Sequence, residues 1–253
     1  MVEDEASLGG LIERFASLPG RKVLVHGGGR SATRLAAQLG IETTMVEGRR
    51  VTDEEMLRVV TMVYGGLVNK QVVARLQAAG VNALGLTGAD MNVIRAHRRP
   101  VKVVRDAEGR QREVDYGFVG DIDGADGACL AHLVGSGVTP VVAPLAHDGS
   151  GQMLNVNADT IAATVAVALA GHFDVTLTYC FEKPGVLARA DDEESVIRRI
   201  TREDFPRLMA GGIISGGMIP KIENALSAID RGVKRVVITG AEDIAGCRGT
   251  VVE

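Results

Sequence analysis

No apolar run in the sequence approaches the ~20 residues that a bilayer-spanning helix needs. The longest, Ile161 to Ala170, reads as a buried helix instead. The opening residues Met1-Val2-Glu3-Asp4-Glu5 are acidic and lack the basic and apolar regions of a secretory signal. No membrane partner and a cytoplasmic location are therefore expected. Cysteine is scarce: Cys129, Cys180 and Cys247 are far apart and odd in number, which excludes a disulfide framework or a paired-cysteine zinc site. Buried free thiols are the expectation. Basic charge is not in excess, with 28 Lys and Arg against 32 Asp and Glu and a net charge of −4, which argues against nucleic acid as the main partner. The basic cluster Arg95-Ala96-His97-Arg98-Arg99 is soon followed by Asp106, Glu108, Glu113 and Asp115 and reads as a solvated hairpin. No His, Cys and carboxylate cluster has the spacing of a tight metal site, so no resident metal is expected. There is no repeat, no low-complexity segment and no Pro- or Ser-rich linker, so a single domain over 1–253 is expected.

What remains is a globular chain, 46% hydrophobic, in which short β-rich runs alternate with amphipathic helices. That alternation predicts an α/β fold with a mostly parallel sheet covered on both faces. Leu8, Leu11, Ile12, Phe15 and Leu18 keep helical spacing up to Pro19-Gly20. Lys22 to Val25 reads as a strand running into Gly27-Gly28-Gly29, with a helix from about Ser31 to Leu39. A longer helix is predicted from Asp53 to Ala79, interrupted near Gly65-Gly66 and capped by Gly80. Val93 to Phe118 alternates apolar and charged residues around Ala107-Glu108-Gly109, the pattern of exposed antiparallel hairpins. Ala125 to Val134 and Ala158 to Leu169 read as helices, and Val175 to Phe181 as a strand. Thr201 and Asp204 resemble a capping box, and a last helix spans Met218 to Arg231.

Several segments suit chemistry. Val25-His26-Gly27-Gly28-Gly29 lies at a strand-to-helix junction, where glycines admit a ligand close to the backbone and the helix start favours an anion. It has neither the Gly-x-Gly-x-x-Gly spacing of a dinucleotide turn nor a P-loop ending, and no Gly-x-Ser-x-Gly elbow accompanies it as in a lipase. Arg50, in Arg49-Arg50-Val51-Thr52, could clamp a carboxylate; taken alone, a surface arginine beside a helix cap is the commoner reading. In Leu154-Asn155-Val156-Asn157-Ala158-Asp159, Asn155 and Asn157 share one face if extended. Asn157 and Asp159 also suit a helix start, so structural and functional readings balance. Gly211-Gly212-Ile213-Ile214-Ser215-Gly216-Gly217-Met218-Ile219-Pro220-Lys221 could present backbone to a nucleotide. Its lysine, in an opening helical turn, opposes the helix dipole unless a phosphate relieves it. Together these parts make a coherent set for phosphoryl transfer: glycine turns for phosphate, a lysine for the transferring group, an arginine for a carboxylate and an aspartate to orient the cation. Magnesium would arrive with the nucleotide.

Taken in order, His26-Gly-Gly-Gly29, Gly48-Arg-Arg-Val-Thr52, Asn69-Lys70, Asn155-Val-Asn-Ala-Asp159 and Gly216-Gly-Met-Ile-Pro-Lys221 resemble the acetylglutamate kinases of the amino-acid kinase superfamily, over nearly the whole chain. The resemblance implies a three-layer α/β/α sandwich, usually a homodimer, that phosphorylates the side-chain carboxylate of N-acetylglutamate, or of N-succinylglutamate, with ATP and Mg2+ in arginine biosynthesis. It implies a lobe of about 1–170 for substrate binding and dimerisation and a lobe of about 171–253 for the nucleotide. Lys221 and Asp159 would be catalytic. Gly28, Gly29, Arg50, Asn155 and Asn157 would bind substrate, and Tyr179, Lys183, Gly185, Leu187, Ile213, Ile214 and Ser215 the nucleotide. Two features depart from the family pattern. Its strand ending in Lys-x-Gly-Gly, source of a second catalytic lysine, does not occur in the sequence and is expected upstream of Met1; a catalytically impaired, metabolite-binding homologue is the alternative. Tyr179-Cys-Phe-Glu-Lys-Pro-Gly-Val-Leu187 also replaces the usual Asp-x-x-Gly. Another kinase of the superfamily, acting on aspartate, carbamate or a nucleotide, is the remaining reading. Arginine feedback is not expected.

Overall fold

The computed structural model describes residues 5–105, 110–189, 191–215, 218–245 and 248–253. Of the segments singled out above, residues 1–4, the turn at 107–109, Gly216, Gly217 and Cys247 lie outside them. Helix α1 (Glu5–Ser17) buries Leu8, Leu11, Ile12 and Phe15, the stripe that the spacing predicts. Strand β1 (Leu24–Val25) leads through the glycine loop into α2 (Gly29–Gln38). A small ribbon follows, β2 (Met45–Val46) and β3 (Arg49–Arg50). The long helix is three pieces: α3 (Glu54–Val60), a π-helical stretch Thr61–Val68, and α4 (Asn69–Ala78). Asp53 starts it by accepting from Met56 N at 2.8 Å. The expected interruption at Gly65-Gly66 is thus a widened turn, which brings Tyr64 against the glycine loop.

The chain continues through β4 (Ala83–Leu86), β5 (Ile94–Arg98), β6 (Lys102–Arg105), β7 (Gln111–Val114), β8 (Gly120–Ala125) and α5 (Gly127–Gly135). The helix expected from Ala125 begins two residues later, because β8 runs to Ala125 and Asp126 caps Cys129 N at 2.8 Å. Then come β9 (Thr139–Val142), β10 (Leu145–His147), β11 (Met153–Asn155), α6 (Ala158–Ala170), β12 (Thr176–Phe181), β13 (Arg199–Ile200), α7 (Asp204–Ala210), α8 (Met218–Asp230), β14 (Arg235–Gly240) and β15 (Thr250–Val252). Thr201 and Asp204 exchange side-chain-to-backbone bonds before α7, as a capping box does.

The order β1-β9-β4 is wholly parallel; β11-β10-β5-β8 is antiparallel except between β10 and β5; β12-β14-β15-β13 is parallel except between β14 and β15. The fold is a three-layer α/β/α sandwich. Alternation along β9 sets the layers: Val141 faces the core under α1, α3 and α4, whereas Val142 faces the one under α5 and α6. A further core joins α6, α7 and α8 to β12 and β14. Helix α6 meets β1, β8, β12 and α8, so it packs where the three sheets come together.

Arg99 is not a solvated hairpin residue: it is 7% exposed, lies over the Tyr116 ring and pairs with Asp121. Nor are the described cysteines fully buried, since Cys129 and Cys180 are both half-buried. Burial, then Asp243, still pushes the Cys180 thiol up to about 11.

Candidate active site

The glycine loop has two separate reasons for its composition. None of Gly27, Gly28 and Gly29 takes a left-handed backbone, so turn geometry does not require them. A Cβ on Gly28 would lie 2.8 Å from Tyr64 Cδ1, so close approach of the π-helical stretch demands glycine there. Gly27 meets nothing within 4 Å, and Gly29 only the Arg50 guanidinium at 3.9 Å. Their open surroundings leave the backbone accessible. No side chain caps α2, and its first turn carries no acidic residue, so its N-terminal amides suit an anion.

Beneath the loop is a sealed polar pair. His26 is 2% exposed and Asn69 1%. Asn69 Nδ2 donates to Val141 O at 2.9 Å, which fixes its amide orientation, and also lies 3.1 Å from His26 Nε2. Nε2 must then accept, leaving the proton on Nδ1, which donates to Gly27 O at 2.7 Å. Burial lowers the imidazole pKa, outweighing the opposing Gly27 contact. A neutral histidine therefore fixes the first peptide of the loop. The sequence reading gave neither residue a role, although Asn69 shares a helical stripe with buried Val72 and Leu76.

Arg50 is 8% exposed, which overturns the surface reading of that residue. It donates to Gly29 O and Thr33 Oγ1, both at 2.9 Å, and to Thr43 Oγ1 at 3.2 Å. A cation held at the first turn of a helix opposes the dipole, and an anion there would relieve both. Thr52, fully buried, links this side to the next. Its Oγ1 donates to Arg50 O at 3.1 Å and accepts from Asn155 Nδ2 at 3.0 Å. Asn155 is 8% exposed at the end of β11. Asn157 caps α6, accepting from Asp159 N at 2.8 Å and Thr160 N at 3.2 Å. Its structural role is therefore filled.

Asp159, in the first turn of α6, meets Lys221, in the first turn of α8, with Oδ2 and Nζ 2.9 Å apart. Their side chains keep 30% and 25% exposure. Tyr179 OH donates to Asp159 O at 3.2 Å, and burial, then the Asp159 charge, pushes that phenol up so that it stays a donor. The Phe181 ring lies beside the lysine, its centroid 3.7 Å from Nζ. Phe181 lies inside the segment Tyr179 to Leu187 expected to border the nucleotide, where the sequence assigns it no separate role, though rings at 179 and 181 share one face of a strand.

The remaining expected residues are more scattered. Lys183 is exposed and pairs with Glu193 at 3.1 Å. Gly185 is constrained by packing, because a Cβ would lie 2.7 Å from Val196 Cγ1 and 2.9 Å from Thr250 Oγ1. Leu187 bridges Val196. Ile213 and Ser215 are exposed, whereas Ile214 is a core side chain at 1%, so any ligand contact from it runs through the backbone. Arg30 on α2 pairs with Glu182 just after β12 at 2.8 Å. Among the described residues no group of three His, Cys, Asp or Glu could hold a metal ion, and no helix is long and apolar enough to cross a membrane.

The arrangement combines an uncapped, glycine-led helix start beside a buried arginine with one ion pair at the meeting of two further helix starts, a geometry fitted to phosphate groups. Comparison with known proteins agrees. The model of the amino acid kinase family matches residues 2–240. An acetylglutamate kinase of Bacteroides thetaiotaomicron is 61% identical over 253 residues, which span 100% of this chain and 95% of the relative. One of Methanopyrus kandleri is 43% identical, over 95% of this chain and 94% of the relative. Among solved structures, smu.665 of Streptococcus mutans is 28% identical with a TM-score of 0.73, covering 95% of this chain and 87% of its own. N-acetylglutamate synthase of Neisseria gonorrhoeae, solved with coenzyme A and N-acetyl-glutamate, shares the fold at 24% identity and a TM-score of 0.77, over 98% of this chain and 56% of its own. The chain belongs to the amino acid kinase family.

Proposed function

We propose that this chain transfers the γ-phosphoryl group of MgATP to the side-chain carboxylate of an N-acylglutamate, acetyl or succinyl, giving an acyl phosphate for arginine biosynthesis. The observation that carries the reading is the Asp159–Lys221 pair at 2.9 Å, placed where the first turns of α6 and α8 meet. Phosphoryl transfer needs positioning and charge neutralisation more than covalent catalysis. Lys221 neutralises charge on the transferring oxygens, and Asp159 fixes the ammonium. Gly28 and Gly29 offer backbone N–H groups to the acceptor carboxylate. Arg50 holds the substrate's other carboxylate, with Asn155 and Asn157 on the acylated amino-acid side. The high identity to acetylglutamate kinases over the full chain supports the same assignment.

In this reading the lobe of about 1–170 takes the acylglutamate, and the lobe of about 171–253 takes the nucleotide. Tyr179, Lys183, Gly185, Leu187, Ile213, Ile214 and Ser215 border the nucleotide. Magnesium would enter with ATP and would supply neutralisation of phosphate charge. The protein works as a homodimer, for which the exposed apolar side chains of Met62, Leu67 and Leu84 are available. The test is ATP-dependent acyl-phosphate formation trapped with hydroxylamine, using acetyl- and succinylglutamate side by side. Hydroxamate with either supports the reading and identifies the acyl group. Transfer to carbamate or aspartate instead would replace it with another activity of the family.

A further inference from the structure

Among the described residues, four other cation–ring contacts lie at 5.4 to 5.6 Å from the ring centroid. The Lys221 ammonium sits at 3.7 Å from that of Phe181, well inside the ~6 Å limit for attraction to the ring face. The ring is itself held. It belongs to β12, whose six residues pair in continuous register with β14. It stacks on Tyr179 at 6.1 Å and 23°, and the Tyr179 hydroxyl is tied to the Asp159 carbonyl. One face of one strand therefore braces both members of the ion pair.

The position of Lys221 calls for such a brace. A cation in the first turn of α8 opposes the helix dipole, and an ion pair as exposed as this one is weak by itself. A ring face attracts the ammonium and takes at most one of its N–H groups. Of three donors, one goes to Asp159, so at least one remains for a phosphoryl oxygen.

We propose that Phe181 is a positioning residue for phosphoryl transfer, its ring face holding the Lys221 ammonium beside Asp159 and keeping water from the side that substrate does not use. This rests on the catalytic role given to Lys221 above. The competing role is plain packing, since Phe181 also contacts the core under α8. Progressive fluorination separates the two, because it drains negative potential from the ring face while nearly preserving its shape.

The experiment replaces Phe181 in the full chain with phenylalanines carrying one, two and three fluorines, and with leucine. It reads kcat and both KM values by hydroxylamine trapping. The expected result is a stepwise fall in kcat with each fluorine, reaching about 5- to 30-fold, with both KM values within about twofold. Phe181→Tyr should restore most of the rate. A flat fluorine series in an active enzyme overturns the proposal and leaves the kinase reading intact. The contact is also read without turnover, from the proton shift of the Lys221 ε-methylene, assigned by its loss in Lys221→Arg. Ring current should move it upfield in the unaltered chain and release it in Phe181→Leu. An unshifted ε-methylene overturns the proposal, whether or not the chain phosphorylates an acylglutamate.

Discussion

His26 and Asn69 beneath the glycine loop are 2% and 1% exposed, whereas Asp159 and Lys221 at the starts of α6 and α8 keep 30% and 25% of their side chains in solvent. The first pair is neutral, each polar atom answered by a fixed partner, and its work is to shape backbone. The second is charged and half-open, and in the proposed function it meets charge that develops during reaction. Disturbing the buried pair should therefore cost stability, whereas disturbing the open pair should cost rate while leaving the fold almost unchanged.

The largest effect expected is on rate. Lys221→Ala should lower kcat by about 10²- to 10³-fold, with substrate KM within about threefold, as steady-state kinetics would measure. Unchanged turnover would remove Lys221 from the phosphoryl-binding role. Arg50 stands between the two behaviours, being buried but charged. Arg50→Ala should raise the acylglutamate KM by about 10- to 100-fold. Arg50→Lys should recover little of it, because lysine cannot reproduce the planar fork that now reaches Gly29, Thr33 and Thr43.

On the buried side, Asn69→Leu leaves His26 Nε2 without a donor and removes the side-chain bond to Val141 O. It should destabilise the fold by about 1–3 kcal/mol in urea denaturation. The same pair gives a pH signature. Burial lowers the folded-state pKa of His26 below its ordinary value of 6.5, so between those two values the unfolded chain binds a proton that the folded chain does not. Stability is then fully present above about pH 6.5 and falls as pH drops toward the folded pKa, by up to about 1.4 kcal/mol per unit. In His26→Gln this component should vanish from the pH dependence of the urea midpoint. The finest distinction lies within the loop. Gly28→Ala drives a Cβ to 2.8 Å from the Tyr64 ring and should cost about 1–3 kcal/mol. Gly29→Ala meets nothing nearer than 3.9 Å, so its thermal midpoint should hold while its effect on substrate KM reports on ligand approach.

Much of this contrast could be read in the sequence where local chemistry dictates it. The glycine run at a strand end, the Asn157 and Asp159 signature of a helix start and the lysine in an opening turn each carry their reason within a few residues. The apolar stripe of α1 and the strand–helix alternation gave the layered fold for the same cause. What could not be read depends on chain segments far apart. His26 and Asn69 meet across 43 positions, and the brace joins α6, β12 and α8, with Lys221 and Asp159 62 positions apart. Burial of Arg50 likewise follows from α2 folding over β3, which no local pattern announces. The mixed direction of the sheets was hidden because two-residue strands such as β1 and β13 carry too little periodicity to reveal a neighbour.

The central claim is that this site makes an acyl phosphate. Its most direct measurement is hydroxamate formation from MgATP, hydroxylamine and an N-acylglutamate, in the full chain and in Lys221→Ala. The account predicts hydroxamate that requires both ATP and acylglutamate and nearly disappears in Lys221→Ala. A full chain that binds MgATP and acylglutamate yet yields no hydroxamate above the ATP-free control would contradict it.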